Sequence, residues 1–496
     1  MPGPPKKIAV VMTHGMGEQI PMETLRGFVE TAWIANKTAQ WSNTPAGEGP
    51  QDIWFMPGRI AGSDELRRIT TRWTNSRTAP DAKGPRVDFY EFYWADLAEG
   101  TTVHEVWDWL RTLLIRWPSQ VPKGLMATWL ALWTAALLVG ALSLFAVLPW
   151  PGGWWHAILA GAAAAVASAM QYVISPYIGD VARYVRADPR NIAMRRAIRE
   201  RGLKLLQDIH DSGEYERVIF VAHSLGTIVA YDVLCLFWAM RRKSAVVSET
   251  EPAFDKLRAV ETAAHELADA ADADRERRLL AFREAQRIFR LALRDGGEDG
   301  TGRARERIEE WLISDLVTLG SPLTHAAFLL SRDPADLDDK IERFLFPTCP
   351  PQFQLVQTEQ KKKIDDRPNP PAPARILGPQ GGLFSYFRAP PPQTWSLHHA
   401  APFAAVRWTN IYDPHRRIYQ GDVISGPVVP SFGGGIIDIS LKALRGQSSR
   451  FSHTLYWVPT ANDPEGLHIQ AMRNAIDLLD TPDSDLWKEM LPKLRQ

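Results

Sequence analysis

Between Gly124 and Gly179 the chain carries no Lys, Arg, Asp or Glu, and this stretch restricts the possible folds more than any other. Within it, Leu125 to Leu148 is a near-continuous apolar run, about 36 Å long as a helix and enough to span a bilayer. The breaker cluster Pro149-Trp150-Pro151-Gly152-Gly153 follows. A second apolar run, Trp154 to Ile174, is about 32 Å as a helix and rich in Ala and Gly, which lets a neighbouring helix approach closely. The expectation is a transmembrane helical hairpin over residues 116–179, with helices at about 125–148 and 154–174. Trp150, Trp154 and Trp155 fall at the turn, where amphipathic rings favour the headgroup level. Arg111, Arg116 and Lys123 precede the hairpin and Arg183, Arg186 and Arg190 follow it, whereas the turn carries no Lys or Arg. The positive-inside rule then keeps both flanks cytoplasmic at an inner membrane. The competing readings are a hairpin buried inside a soluble protein, or one lying flat in the interface.

The remainder reads as globular. The chain has 496 residues, 45% of them hydrophobic, enough for a sizeable core. Its 57 basic and 57 acidic side chains cancel, which argues against a protein whose main business is coating nucleic acid. Two cysteines, Cys235 and Cys349, make no disulfide framework, and no Cys/His spacing matches a zinc site. Neither a metal nor a cofactor is expected, and a reducing compartment is mildly favoured. Lys6 and Lys7 precede five apolar residues, Ile8 to Met12, too few for the core of a signal peptide but suited to a buried strand.

Strands are expected at 7–12, 87–94, 217–222, 315–319, 404–412 and 436–441, and helices at 180–211, 227–240 and 466–479. Their alternation implies an α/β fold, a mostly parallel central sheet with helices on both faces. The sheet domain is then divided among 1–115, 180–240 and 311–496. Residues 241–310 are charge-dense and read as one or two exposed helices ending at Asp295-Gly296-Gly297, a cap offering a surface for a protein partner or for self-association. The Pro-rich segment 364–393 reads as a lid-like loop.

The chemistry concentrates where the strand Val218-Ile219-Phe220-Val221-Ala222-His223 runs straight into Ser224-Leu225-Gly226 and an apolar helix. Ala222 and Gly226 are small where strand and helix backbones close on one another, and Ser224 sits at a helix N-terminus, where amides stabilise an oxyanion. These residues resemble the nucleophile elbow of the α/β-hydrolase superfamily, in particular bacterial lipase- and esterase-like serine hydrolases, with Ala222 in place of the usual glycine. Thr13-His14-Gly15-Met16-Gly17 resembles the His-Gly oxyanion loop of lipases and esterases. On that resemblance the backbone amides of Met16 and Leu225 form the oxyanion hole, in a loop shaped by His14, Gly15 and Gly17.

The segment Phe451-Ser452-His453-Thr454-Leu455-Tyr456-Trp457 resembles the end of bacterial lipase-like hydrolases, which makes His453 the general base. Two acids remain open. Asp422 is preferred because Val423 follows it, as the family's acid usually precedes Val or Ile, and Asp413, ending the fifth strand, is the alternative. Thr318-Leu319-Gly320-Ser321-Pro322-Leu323 resembles the strand end that borders the lipase pocket, with Ser321 structural. His14 and His223 read as packing or hydrogen-bonding residues, and His468 as a surface residue of the closing helix. The resemblance covers about half the chain, residues 7–19, 215–235, 314–325 and 403–457.

It implies a membrane-anchored serine hydrolase, lipase-, esterase- or phospholipase-like, that cleaves an acyl ester of a membrane lipid or lipid-like substrate through an acyl-enzyme. A thioesterase, amidase or acyltransferase would use the same residues. A catalytically silent membrane scaffold and a membrane-damaging effector are the rivals from other classes.

Overall fold

The structure is a computed structural model that describes residues 6–15, 20–41, 53–57, 67–76, 82–98, 126–147, 157–164, 189–241, 246–249, 251–294, 311–355, 382–388, 394–414, 420–422, 424–441, 452–459 and 465–494, with a few isolated positions between them. Its main sheet comprises β1 (Lys7–Thr13), β2 (Ile53–Pro57), β3 (Arg67–Asn75), β4 (Lys83–Phe92), β5 (Tyr215–His223), β7 (Ile313–Leu319), β12 (Arg407–Tyr412) and β13 (Ile437–Ser440). The remaining strands form two small sheets, β6 (Val246–Ser248) with β10 (Ser385–Arg388) and β11 (Thr394–Leu397), and β8 (Gln354–Leu355) with β9 (Gly382–Leu383).

The main sheet runs β13-β12-β7-β5-β1-β4-β3-β2. From β13 to β4 every neighbour is parallel, and β3 and β2 complete the other edge antiparallel. The central strands are buried on both faces, which is why β1 and β5 read as continuous apolar runs. On one face Ala9, Val11, Phe220 and Ala222 pack with helices α3 (Pro189–Asp211) and α4 (Gly226–Arg241). On the other, Val10, Met12, Ile219 and Val221 pack with α1 (Glu23–Val29) and α7 (Leu467–Ile476). Alternate residues of one strand therefore serve opposite layers.

Four points of the sequence reading need correction or qualification. The antiparallel strands β2 and β3 were not anticipated. Their sequences, Ile-Trp-Phe-Met-Pro and a charged Arg-Arg-Ile-Thr-Thr-Arg, lack the clean alternation of a half-buried strand.

The charge-dense segment 241–310 is not simply an exposed cap. It begins with β6 and continues as α5 (Pro252–Ala268) and α6 (Arg275–Arg294), and α6 buries Phe282, Arg283, Gln286, Phe289 and Arg290. Arg283 Nε lies 2.7 Å from Asp483 Oδ1, and its Nη1 donates to the carbonyl of Trp408 at 2.8 Å. Arg407 bonds both Asp315, at 2.8 Å, and Asp483, at 2.9 Å, while Arg217 lies 2.6 Å from Asp315. Arg283, one of the charges that suggested a solvated face, thus anchors α6 at the start of β12, beside the ion pairs of Arg217 and Arg407. The end of this segment, 295–310, lies outside the described residues.

At the first apolar run, Met126–Val147 forms one 22-residue helix, α2. Among the described residues no helix is long and apolar enough to cross a membrane, and several side chains of α2 itself lie outside that set. In the second run residues 157–164 are helical, while the turn 148–153 and residues 165–174 lie outside the described residues, as does most of the Pro-rich segment 364–393. Within that segment Gly382–Leu383 and Ser385–Arg388 are strand rather than loop, forming β9 and β10.

Candidate active site

At the carboxyl end of the sheet the connection from β1 leads towards β4, whereas that from β5 leads towards β7 on the opposite side. Open α/β sheets form their crevice where neighbouring strands diverge in this way. Ser224 directly follows β5 with φ of 55°, a left-handed conformation unusual for a side chain of this kind. The turn is tight enough that residue type is dictated by space. A Cβ on Gly226 would collide with the carbonyl oxygen of His14, and one on Gly15 would lie 2.8 Å from Ser224 Cβ. The loops after β1 and β5 therefore touch through two glycines and a serine.

His453 comes from the turn that follows β13. Its Nε2 lies 2.7 Å from Ser224 Oγ and its Nδ1 lies 2.8 Å from Asp422 Oδ2. With the shared proton on Nδ1, donated to the carboxylate, Nε2 is left to accept from the serine hydroxyl. All three side chains are buried, and Ser224 is only 1% exposed. Asp422 also takes the amide of Ile424 on Oδ1 at 2.9 Å and the hydroxyl of Tyr456 on Oδ2 at 2.6 Å. Burial pushes this carboxyl's pKa up, but His453 and these two donors outweigh it and hold the group below the usual carboxylate range.

Of the two acids left open by the sequence, it is therefore Asp422 whose carboxylate meets the His453 imidazole. Asp413 lies in the same loop but is turned to another task, accepting from Ser452 Oγ at 2.6 Å. Its carbonyl takes the amide of Asp422 at 3.0 Å, so the strand end and the acid loop are stitched together.

The two other histidines of the motifs are held neutral. His223 donates from Nε2 to the carbonyl of His453 at 2.7 Å, and burial, reinforced by His453, pushes its pKa down to about 3. His14 accepts the amide of Trp94 on Nε2 at 3.1 Å and stacks on that indole, and burial pushes it down to about 4. Ser321 Oγ accepts the amide of Leu323 at 3.2 Å and lies 2.8 Å from Thr227 Oγ1, which in turn donates to the carbonyl of Ser224. These contacts brace the elbow.

Leu225 lies in the tight turn between Ser224 and the start of α4. Met16 and Gly17, expected to complete the oxyanion loop, lie outside the described residues. His468 is buried rather than at the surface, with Nε2 3.3 Å from the carbonyl of Val458. Among the described residues no group of His, Cys, Asp or Glu is arranged to hold a metal ion.

Sequence reasoning missed two members of the site. Tyr456 follows His453 by three residues in the same turn, and its hydroxyl also lies 2.9 Å from Ser425 Oγ. Gly320 adopts φ of 63°, and a Cβ there would lie 2.7 Å from the Tyr456 ring and 3.2 Å from Asp422 Oδ2. The only forewarning was that Gly320 sits directly after a buried strand, where a left-handed turn needs glycine.

Compared with family models, curated proteins and solved structures, the chain matches none.

Proposed function

We propose that the chain is a serine hydrolase of the α/β-hydrolase type, transferring an acyl group from an ester to water. The observation that carries this reading is the contact series from Ser224 Oγ to His453 Nε2 and from His453 Nδ1 to Asp422, drawn from the ends of separate strands onto a left-handed serine. Ser224 Oγ attacks the carbonyl carbon while His453 Nε2 takes its proton, and Asp422 holds the imidazolium without itself being protonated. The tetrahedral oxyanion faces the amide of Leu225, with Met16 as the expected second donor. His453 then returns its proton to the leaving alcohol, and a water activated by the same nitrogen releases the acyl group.

The charge-free stretch 124–179 supports attachment to a membrane, with the catalytic domain on the cytoplasmic side. In α2 the side chains of Leu130, Leu137, Leu138 and Leu144 are exposed, an arrangement that suits lipid better than water. A lipid or lipid-like ester is accordingly the proposed substrate.

The test is labelling by a fluorophosphonate of membrane fractions carrying the wild type or Ser224→Ala. Labelling in the wild type that vanishes in the variant is the expected result. A folded wild-type protein that takes no label sinks the hydrolase reading and favours a silent scaffold. Cleavage of short dispersed esters but never of long-chain or phospholipid esters sinks the lipid substrate alone.

A further inference from the structure

We infer that Tyr456 is a positioning residue for the acid of this site, setting how much of the Asp422 charge is available to His453; the inference rests on the hydrolase reading above. The carboxylate of Asp422 is completely buried, and its two oxygens are treated differently. Oδ1 is fixed by the amide of Ile424, whereas Oδ2 is shared by His453 Nδ1 at 2.8 Å and the Tyr456 hydroxyl at 2.6 Å. One oxygen thus serves two donors from a single turn, and the carboxylate cannot rotate without breaking a bond on each side.

The direction of each proton follows from the partners. Ionised Asp422 can only accept, so the single phenolic proton of Tyr456 goes to it. The phenol oxygen is then left to accept, and Ser425 Oγ lies 2.9 Å away with the amide of Asp413 at 3.3 Å. Donation from Ser425 makes the phenol a better donor in turn, so the series Ser425, Tyr456, Asp422 is polarised towards the carboxylate. Space for the ring is reserved by Gly320, whose missing Cβ would lie 2.7 Å from Tyr456 Cε2.

A second donor on Oδ2 competes with the imidazole for the same negative charge. Removing it leaves the carboxylate a stronger acceptor towards His453 and stabilises the imidazolium. The protonated imidazole cannot accept the serine proton, so the acid limb of the rate profile moves to higher pH.

The experiment is the pH dependence of fluorophosphonate labelling of Ser224 in the full-length protein. For Tyr456→Phe, which keeps the ring, the acid limb should rise by about one pH unit, so that labelling on that limb slows by up to about tenfold, the scale of one charge-assisted hydrogen bond. Ser425→Ala should move the limb in the same direction by less, and it decides the matter should Tyr456→Phe fail to fold. A limb that stays in place or moves down, in a variant that melts like the wild type, overturns the inference while leaving the hydrolase reading intact. If the wild type itself takes no label, both fall together.

Discussion

At the scale of single residues, the two aspartates separate sharply. Asp422→Asn removes the acceptor that fixes the proton on His453 Nδ1 and should lower the labelling rate by about 10³- to 10⁴-fold without unfolding the protein. Asp413→Asn keeps an oxygen for Ser452 and should cost less than about tenfold, measured in the same assay. The preference for Asp422 arose from the neighbouring Val423; the physical ground is the short loop that returns the chain from Asp413 and bonds the two backbones. A second residue-scale consequence concerns acid. His14 and His223, with pKa values near 4 and 3, and His210, pushed by burial to about 3, are neutral in the fold. In the unfolded chain each titrates near 6.5, so they leave stability unchanged above that pH. As pH falls below about 6.5 the unfolded state binds protons first, and stability is lost progressively towards pH 3 to 4. Urea midpoints at about pH 7 and pH 5 should differ accordingly, and His223→Gln should reduce the difference.

At the scale of elements, the lesson lies in which patterns were transparent. Strands β1 and β5 were legible as short apolar runs, β7, β12 and β13 as short segments mixing apolar with polar residues, and the elbow because Ser-x-Gly joins a strand to a helix. Strand β3 escaped because its arginines and threonines break the apolar pattern, and Arg68 finds Asp88 on the neighbouring strand. Helix α6 misled for a related reason. A sequence displays its charges but not their partners, and Arg283, Arg290 and Arg407 are buried against carboxylates distant in the chain. Asp483 serves two of these arginines, so Asp483→Ala should destabilise the protein by about 3–5 kcal/mol, read from its unfolding curve. Excising 252–294 should for the same reason yield an unfolded chain, visible by circular dichroism, rather than a hydrolase freed of a cap. A folded, labelled product would show that α6 is dispensable.

At the scale of the whole molecule, the charge-free stretch falls in sequence between β4, a strand of the main sheet, and α3, a helix packed on that sheet. Replacing 124–179 by a short flexible linker should move the protein from the membrane to the soluble fraction while Ser224 remains labelled. Loss of labelling with the fold intact would instead tie the stretch to the site. The site itself has a further consequence that follows from the order of its parts. Ser224 is in place once the middle of the chain has been made, but Asp422 and His453 arrive only near the end, across a sheet whose pairings are mostly distant in sequence. A nascent polypeptide on the ribosome therefore displays its nucleophile, while residues 225–452 are being made, without the base that arms it. The proposed hydrolase is harmless to nearby esters until its last strand, and the turn beyond it, have docked.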